Sequence, residues 1–313
     1  MTNENIKLAR SARRRRRLSG AGRLAVTSFS TVFLLGVSLL FIMPIVLTLT
    51  NSFMAQSEIA ASYGKIFTSV TTAGTYVSEK VNLKLIPDLV SFSQYETVLL
   101  KTPDYLFKFW NSVILVVPIV LFQTLVALVA SYGFARFETK ARSLLFFVYI
   151  ILMLMPYQVT LVPNYIVSEQ LGILNTRWAV ILPGIFSPFA VFILTKFMRR
   201  IPSSVIEAAK LDGAGEWQIF TKVCAPMSKG IVTSVAILVY IDYWNMVEQP
   251  LVLMVKEAVD LHPLSVFLSE INTGDAGLAF AVASIYMIIP LLIFLYCEDY
   301  LVEGVSYSGG LKG

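Results

Sequence analysis

The sequence has few of the residues on which metal sites and disulfide-rich folds depend. Its 313 residues include two cysteines, Cys224 and Cys297, and one histidine, His262. Two cysteines cannot build a disulfide framework, and they lie too far apart in sequence to form a paired ligand set. Charged residues make up 14% of the chain, against about 25% in an average soluble domain. We therefore predict no metal site and no soluble enzyme domain.

Motifs for nucleotide binding and hydrolysis are also missing. A Gly-x-x-x-x-Gly-Lys-[Ser/Thr] phosphate-binding loop does not occur, because Gly64-Lys65 is followed by Ile66 and lacks the upstream glycine. The Gly-x-Ser-x-Gly turn of serine hydrolases is absent as well. The sequence thus predicts no catalytic residue and no cofactor bound by this chain.

Apolar residues dominate what is present. They account for 56% of the chain, and the mean hydropathy is +0.72, more than one soluble core of this size can bury. Continuous apolar runs of about 20 residues are long enough to cross a bilayer as helices, and they lack the alternation of a membrane barrel. We predict an all-α polytopic membrane protein with six transmembrane helices. The predicted spans are residues 24–50, 108–135, 143–163, 178–197, 230–255 and 276–297.

Lys and Arg residues are distributed unevenly between the segments that flank these spans. Eighteen of them lie in residues 1–23, 136–142, 196–229 and 298–313, and seven lie on the opposite side. Because basic residues concentrate on the cytoplasmic side, we expect both termini to be cytoplasmic. The run Arg13–Arg17 is interpreted as an orientation signal before the first span, not as a nucleic-acid-binding patch.

The predicted spans divide the chain into five parts. These are a basic N-terminal segment (1–23), the first span (24–50), an external loop (51–107), a core of five spans (108–297) and a cytoplasmic tail (298–313). The last part of the external loop, residues 85–95, is typical of extended structure that leads into a short helix.

The most informative loop lies between the fourth and fifth predicted spans, at residues 201–226. Ser204, followed three residues later by Glu207, predicts a capping box, and Gly213 predicts the end of the helix. The resulting helix has about two turns, roughly 12 Å. A helix this short is marginal alone, so we expect it to pack against the rest of the chain or against a partner.

The same loop carries a gapped motif. Glu207-Ala208-Ala209 is followed after three residues by Gly213, after nine more by Val223, and then by Pro226. This spacing resembles the EAA loop of importer-type ABC permeases. Val223 stands where the family usually has Ile, and Ala225 where it usually has Leu; both positions keep an apolar side chain.

From about Pro87 to the C-terminus the chain is similar to the maltose-type, carbohydrate-uptake permease subunits. The matching stretches include Trp110-Asn111-Ser112, Ser131–Arg136, Met155–Gln158, Leu171–Thr176, Trp244-Asn245 and Gly309–Gly313. The resemblance implies an importer-type ABC permease fold in the plasma membrane of a prokaryote. It implies four kinds of partner: a second homologous permease subunit, two ABC ATPase subunits that bind ATP and Mg, an extracytoplasmic sugar-binding protein, and membrane lipid.

In that family the EAA helix is a coupling helix that docks in a cleft of the ATPase. The coupling residues implied by the resemblance are Glu207, Ala208, Ala209, Asp212, Gly213 and Pro226. Glu207 would face a basic group of the ATPase; alternatively it only caps its own helix, and both roles can hold. The C-terminal Gly309–Gly313 would lie against the ATPase dimer or would form a frayed tail.

Polar and aromatic residues inside the spans are candidates for a solute pathway, because sugars need both hydrogen-bond partners and apolar ring faces. The candidates are Asn111, Gln123, Tyr157, Gln158, Asp242, Trp244, Asn245 and Glu248. An acid within a span usually faces a cavity or a partner. Asp242 and Glu248 are six residues apart and would not share a helix face; the alternative role is hydrogen bonding between helices around Pro250.

These features favour a permease subunit of an ATP-driven, binding-protein-dependent importer that forms half of the pathway for a sugar or oligosaccharide. The first alternative is an importer permease for a different polar solute. The second is an ion-coupled secondary transporter, which would need repeats or broken helices around ionisable residues. The third is a membrane receptor or assembly factor, which would need a sensing domain that the sequence does not contain.

Overall fold

In a computed structural model the chain is described over residues 3–59, 61–62, 83–137, 139–270 and 276–309. The secondary structure of these residues is helical, apart from one isolated bridge between Met54 and Val90. This confirms the predicted all-α class. The chain divides into two compact units, residues 1–91 and 92–313.

The first unit consists of one long helix and the segment that follows it. Helix α1 (Asn3–Asn51) joins the predicted basic segment and the first predicted span in one element. Beyond it, Lys84 Nζ lies 2.8 Å from Glu58 Oε1 and also pairs with Asp88. Hydrogen bonding from Lys84, and then from the Asp88 amide, lowers the pKa of the Glu58 carboxyl. Residues 60 and 63–82 of the predicted external loop lie outside the described residues.

The second unit begins with α2 (Ser93–Glu96), which continues as a π-helical turn over Thr97–Lys101. The short helix confirms the second part of the prediction for residues 85–95, whereas the segment before it contains bends and a single bridge residue, Val90. The later helices are α3 (Pro103–Arg136), α4 (Lys140–Met153), α5 (Tyr157–Gln170), α6 (Arg177–Gly184), α7 (Pro188–Met198), α8 (Ser203–Leu211), α9 (Glu216–Met227, with a π-helical turn over Phe220–Cys224), α10 (Lys229–Trp244), α11 (Glu248–Leu253), α12 (Leu264–Glu270) and α13 (Ala276–Gly309). A 3₁₀ turn, Lys256–Leu261, precedes α12.

Length and composition identify the segments that can cross a membrane. Within the described part of the chain, four qualify: Val26–Asn51, Pro103–Arg136, Arg177–Met198 and Gly277–Asp299. Two further pairs, α4 with α5 and α9 with α10, qualify if each is one span, although they bend by 105° and 73°. The predicted number of six is therefore reached only when both bent pairs are counted.

Two predicted spans differ from the structure in their continuity. The span predicted over 230–255 is interrupted, because α10 ends at Trp244 and α11 begins at Glu248. Pro250 lies in the first turn of α11, where its missing amide hydrogen costs no intrahelical bond. Likewise, Pro156 precedes α5 and interrupts the span predicted over 143–163.

The C-terminal helix is longer than predicted. The span predicted over 276–297 and the following tail belong to one helix, α13, which continues through Gly309. The last four residues, 310–313, lie outside the described part of the chain, so the expected contact of the Gly309–Gly313 ending with a partner is not addressed by it.

Helix α3 is the central element of the second unit. Its buried residues Leu115, Val116 and Ile119 form one core cluster with α6, α10 and α11, and Ala127 belongs to another with α7 and α10. A Cβ placed on Gly184 of α6 would lie 3.1 Å from three side-chain carbons of Ile119. Glycine at this position therefore permits the close approach of α6 to α3.

Candidate functional site

Helices α8 and α9 form a hairpin, residues 203–227, beside the C-terminal end of α3. The connection is set by hydrogen bonds at the end of α8: the Gly213 amide donates to the Lys210 carbonyl and the Ala214 amide to the Ala209 carbonyl, both at 3.0 Å. This is a Schellman motif, and Gly213 has the positive φ of 81° that it requires. The predicted helix end at Gly213 is confirmed.

The predicted capping box of Ser204 and Glu207 is wrong. Helix α8 begins at Ser203 with Pro202 as its N-cap, and no side chain makes a hydrogen bond at this cap. The backbone of Pro202 (φ −57°, ψ 135°) directs the chain into the helix, and Glu207 lies too far along α8 to reach its first amides. One half of such a box occurs instead at α9, where the Gly215 amide donates to Gln218 Oε1 at 3.1 Å.

The hairpin buries one side and exposes the other. Ile206 packs in a core cluster with Ile219, Phe220 and Cys224. Of the coupling residues inferred from the sequence, Ala209 is half-buried and the others are exposed: Glu207, Ala208, Asp212, Gly213 and Pro226. The apolar side chain of Leu211 is 89% exposed. The outer face of α8 thus combines small, acidic and apolar residues that the described part of the chain leaves uncovered.

A polar network, which we call the anchor network, links the hairpin to α3. The Tyr132 hydroxyl donates to Glu216 Oε2 at 2.7 Å, and Lys210 Nζ pairs with Glu216 Oε1 at 2.8 Å. Next to it, Arg136 Nη2 donates to the Met198 carbonyl at 3.1 Å. Both carboxylate oxygens of Glu216 are therefore engaged, and the charge-assisted bond from Tyr132 holds the hairpin at the end of α3.

A cavity of about 730 Å³ lies in the same unit, a volume within the usual range of small-molecule sites. Its walls are α3, the end of α4, α5, the break between α6 and α7, α10 and the first turn of α11. The polar residues that line it include Gln123, Tyr157, Asn164, Asp242, Tyr243 and Gln249. Helix breaks at proline allow several helices to contribute to one concave surface here.

Three of the eight candidate pathway residues, Gln123, Tyr157 and Asp242, line this cavity. The other five are placed elsewhere. Asn111 Oδ1 accepts from Arg177 Nη2 at 2.7 Å and its Nδ2 donates to the Asp260 carbonyl at 2.6 Å, so it connects α3 to α6 and to the 3₁₀ turn. Gln158 Nε2 donates to Glu248 Oε2 at 3.1 Å, across the break before α11.

Trp244 and Asn245 lie at the C-terminal end of α10. The Trp244 ring is buried between the rings of Tyr240 and Tyr286, with centroids 5.3 and 5.2 Å away. Asn245 Nδ2 donates to the Ile241 carbonyl of its own helix at 2.8 Å. Asp242 and Glu248 lie on different helices.

Sequence reasoning missed some of these positions. The anchor network joins residues 84 positions apart, and the only signal was the occurrence of Tyr132 and Arg136 in one of the stretches that carry the family resemblance. On α5, Tyr157, Thr160 and Asn164 all line the cavity. Their spacing of three and four residues is that of one helix face and could have identified the last two.

Comparison with known proteins places the chain among transport components. Residues 123–306 match the family model described as binding-protein-dependent transport system inner membrane component. Arabinooligosaccharides transport system permease protein AraQ of Bacillus subtilis is 30% identical over 292 residues, which cover 90% of this chain and 95% of AraQ. Osmoprotective compounds uptake permease protein GgtD of Synechocystis is 34% identical over 210 residues, which cover 65% of this chain and 70% of GgtD.

A solved structure has the same fold. It is the crystal structure of a bacterial ABC transporter involved in the import of the acidic polysaccharide alginate, and one of its chains matches with a TM-score of 0.70 at 19% identity, covering 88% of this chain and 96% of that one. This confirms the predicted importer-type permease fold. The family model covers more than half of the chain, and AraQ aligns along nearly all of it. The family implies a transporter component that works with other ABC components and is not an enzyme. The chain therefore belongs to the binding-protein-dependent transport system inner membrane components, as a multi-pass ABC permease of the plasma membrane.

Proposed function

We propose that this chain is one membrane-spanning subunit of an ATP-driven importer of a sugar or oligosaccharide. It pairs with a second homologous permease subunit to form the pathway, and an extracytoplasmic binding protein delivers the solute. Two separate ATPase subunits bind ATP and Mg and carry out hydrolysis. The observation that carries the proposal is the uncovered outer face of α8, on a hairpin bonded to the central helix.

The anchor network gives a physical route from the hairpin to the cavity. Tyr132 and Gln123 lie on the same helix, nine residues or about 14 Å apart. A displacement of α8 by an ATPase would be passed through Glu216 to Tyr132 and along α3 to the cavity wall at Gln123. The excess of Lys and Arg in residues 1–23, 136–142, 196–229 and 298–313 supports a cytoplasmic position for the hairpin, where ATP is available.

The chemistry of the cavity supports a saccharide. Amide and carboxylate groups from Gln123, Asn164 and Asp242 suit hydroxyls, and the rings of Tyr157 and Tyr243 suit the apolar faces of sugar rings. The name of AraQ, a relative that aligns along nearly the whole chain, refers to oligosaccharides. The name of GgtD, which refers to osmoprotective compounds, favours a different polar solute as the second candidate.

The docking surface can be tested by photo-crosslinking in cells that produce the chain with its partners. We expect a photoreactive residue at Leu211 to form an adduct with a subunit that carries an ATP-binding phosphate loop. The matched control is Leu100, which is 79% exposed but precedes the opposite end of α3. Adducts at Leu211 with lipid or with this chain alone, identified by mass spectrometry, would contradict the proposal.

A further inference from the structure

We infer that the cavity selects neutral or amine-bearing saccharides and rejects acidic ones, and that Asp242 sets this selectivity. The inference rests on the proposed function as a saccharide importer and adds the class of saccharide. It concerns the cavity between α3, α5, α6, α7 and α10, and it begins from the charges that line this cavity.

The lining carries an uncompensated negative charge. Among the described residues that line the cavity none is Lys, Arg or His, and the only Asp or Glu is Asp242. Its side chain is exposed, and the described part of the chain offers it no ion pair. The neighbouring acid Glu248 does not line the cavity, and its carboxylate accepts hydrogen bonds from the neutral amide of Gln158. An anion that enters the cavity therefore meets repulsion with no cation to offset it.

A second observation indicates that the cavity is built for a polar ligand. The side chain of Gln123 is 2% exposed and lines the cavity, and its Oε1 is buried without a hydrogen-bond partner within the described residues. Buried amide oxygens are normally bonded, because an unmade bond costs the full desolvation of the group. A ligand hydroxyl or ammonium is a donor that would satisfy it.

The same donors suit the carboxylate of Asp242. A carboxylate accepts hydrogen bonds from two hydroxyls of a sugar ring, and it accepts a stronger, charge-assisted bond from an ammonium group. A uronic acid brings its own carboxylate instead. At a separation of about 10 Å and an effective dielectric constant of about 20, repulsion between two unit charges corresponds to about a tenfold loss of affinity.

The test compares three β-1,4-linked disaccharides that share ring geometry and differ in charge: the dimers of glucose, glucosamine and glucuronate. Binding is measured by saturation-transfer NMR at pH 7 on the detergent-purified importer that contains the full chain, without the extracytoplasmic binding protein. We expect the glucuronate dimer to bind about tenfold more weakly than the glucose dimer, and the glucosamine dimer at least as tightly as the glucose dimer. In D242N the three affinities should converge to within about twofold.

The control variant E248Q removes the same charge from an acid that does not line the cavity, and it should keep the wild-type order. Each of four results would overturn the inference. The wild type could bind the three sugars equally or bind none of them, D242N could keep the wild-type order of affinities, or E248Q could lose the discrimination between the sugars as D242N does. ATP hydrolysis by the same preparations reports separately on the proposed function. If the preparation hydrolyses ATP but binds the three sugars equally, only the inferred selectivity is rejected. If the wild-type preparation contains no ATPase subunit, the proposed function as an ATP-driven importer is rejected.

Discussion

At the scale of single residues, Glu216 is the point where the hairpin and the central helix meet. Its two carboxylate oxygens bind Tyr132 and Lys210, and the Tyr132 ring lies in the core cluster below α8. The hydroxyl of Tyr132 can therefore be removed without emptying the core, because phenylalanine keeps the ring. This separates the role of the bond from the role of packing.

We expect Y132F to lower uptake severalfold while the importer retains ATP hydrolysis, because the hairpin would move with less effect on α3. The cost in stability should be about 1 kcal/mol, the value of one hydrogen bond to a partly exposed charged group. Thermal unfolding in detergent and solute uptake into proteoliposomes measure the two effects. Y149F is the matched control, since Tyr149 packs against Phe134 in the same unit; an equal loss of uptake in both variants would argue against the anchor network.

At the scale of elements, the close approach of α3 and α6 depends on Gly184. A methyl group there would meet Ile119 at 3.1 Å, so the isoleucine or the helix must shift by a few tenths of an ångström. We expect G184A to destabilise the protein by about 1–3 kcal/mol, as overpacking of a core does. The measurement is thermal unfolding of the purified chain in detergent.

Two variants accompany this measurement. G133A is the control, because a methyl group at Gly133 of α3 meets nothing within 4 Å; alanine should be neutral or slightly stabilising at this helical position. In the double variant G184A/I119A the two costs should not add, because the alanine removes the carbons that the new methyl group meets. Strict additivity would show that Gly184 and Ile119 do not interact as described.

The elements also show what the sequence could predict. Apolar run length predicted where the helices lie, because the bilayer fixes the length of a span. Which prolines interrupt a helix was not predictable: Pro118, Pro183 and Pro290 lie inside helices, whereas Pro156 and Pro188 stand at helix starts. Neighbouring helices decide whether the freed carbonyls are satisfied, and this information is tertiary.

For the candidate site, too, local features could be predicted from the sequence and tertiary features could not. Gly213 was predictable because a left-handed residue after a short helix is a local requirement that glycine meets best. The capping prediction at Glu207 was wrong because Pro202 begins the helix earlier than the Ser204 pattern indicated. The cavity lining depends on bends of 105° and 73° between helices, which no local pattern encodes, so only three of eight pathway candidates lie there.

At the scale of the whole molecule, one unit contains both the hairpin proposed for coupling and the cavity proposed for the solute. The second unit, residues 92–313, holds the hairpin, the anchor network and the cavity, and the family match at residues 123–306 falls within it. The long helix of the first unit contributes an apolar segment of membrane-spanning length. Coupling and passage of the solute are therefore expected to depend on contacts internal to the second unit.

The most direct measurement of this coupling is the number of solute molecules imported per ATP hydrolysed, in proteoliposomes that contain the full importer. E207A removes the acid from the outer face of α8, and G213V places a branched residue where φ is 81°; E169A changes an exposed acid at the far end of α5. We predict that the ratio falls at least tenfold in E207A and G213V, with hydrolysis retained, and stays at the wild-type value in E169A. A wild-type ratio in both hairpin variants would contradict the account.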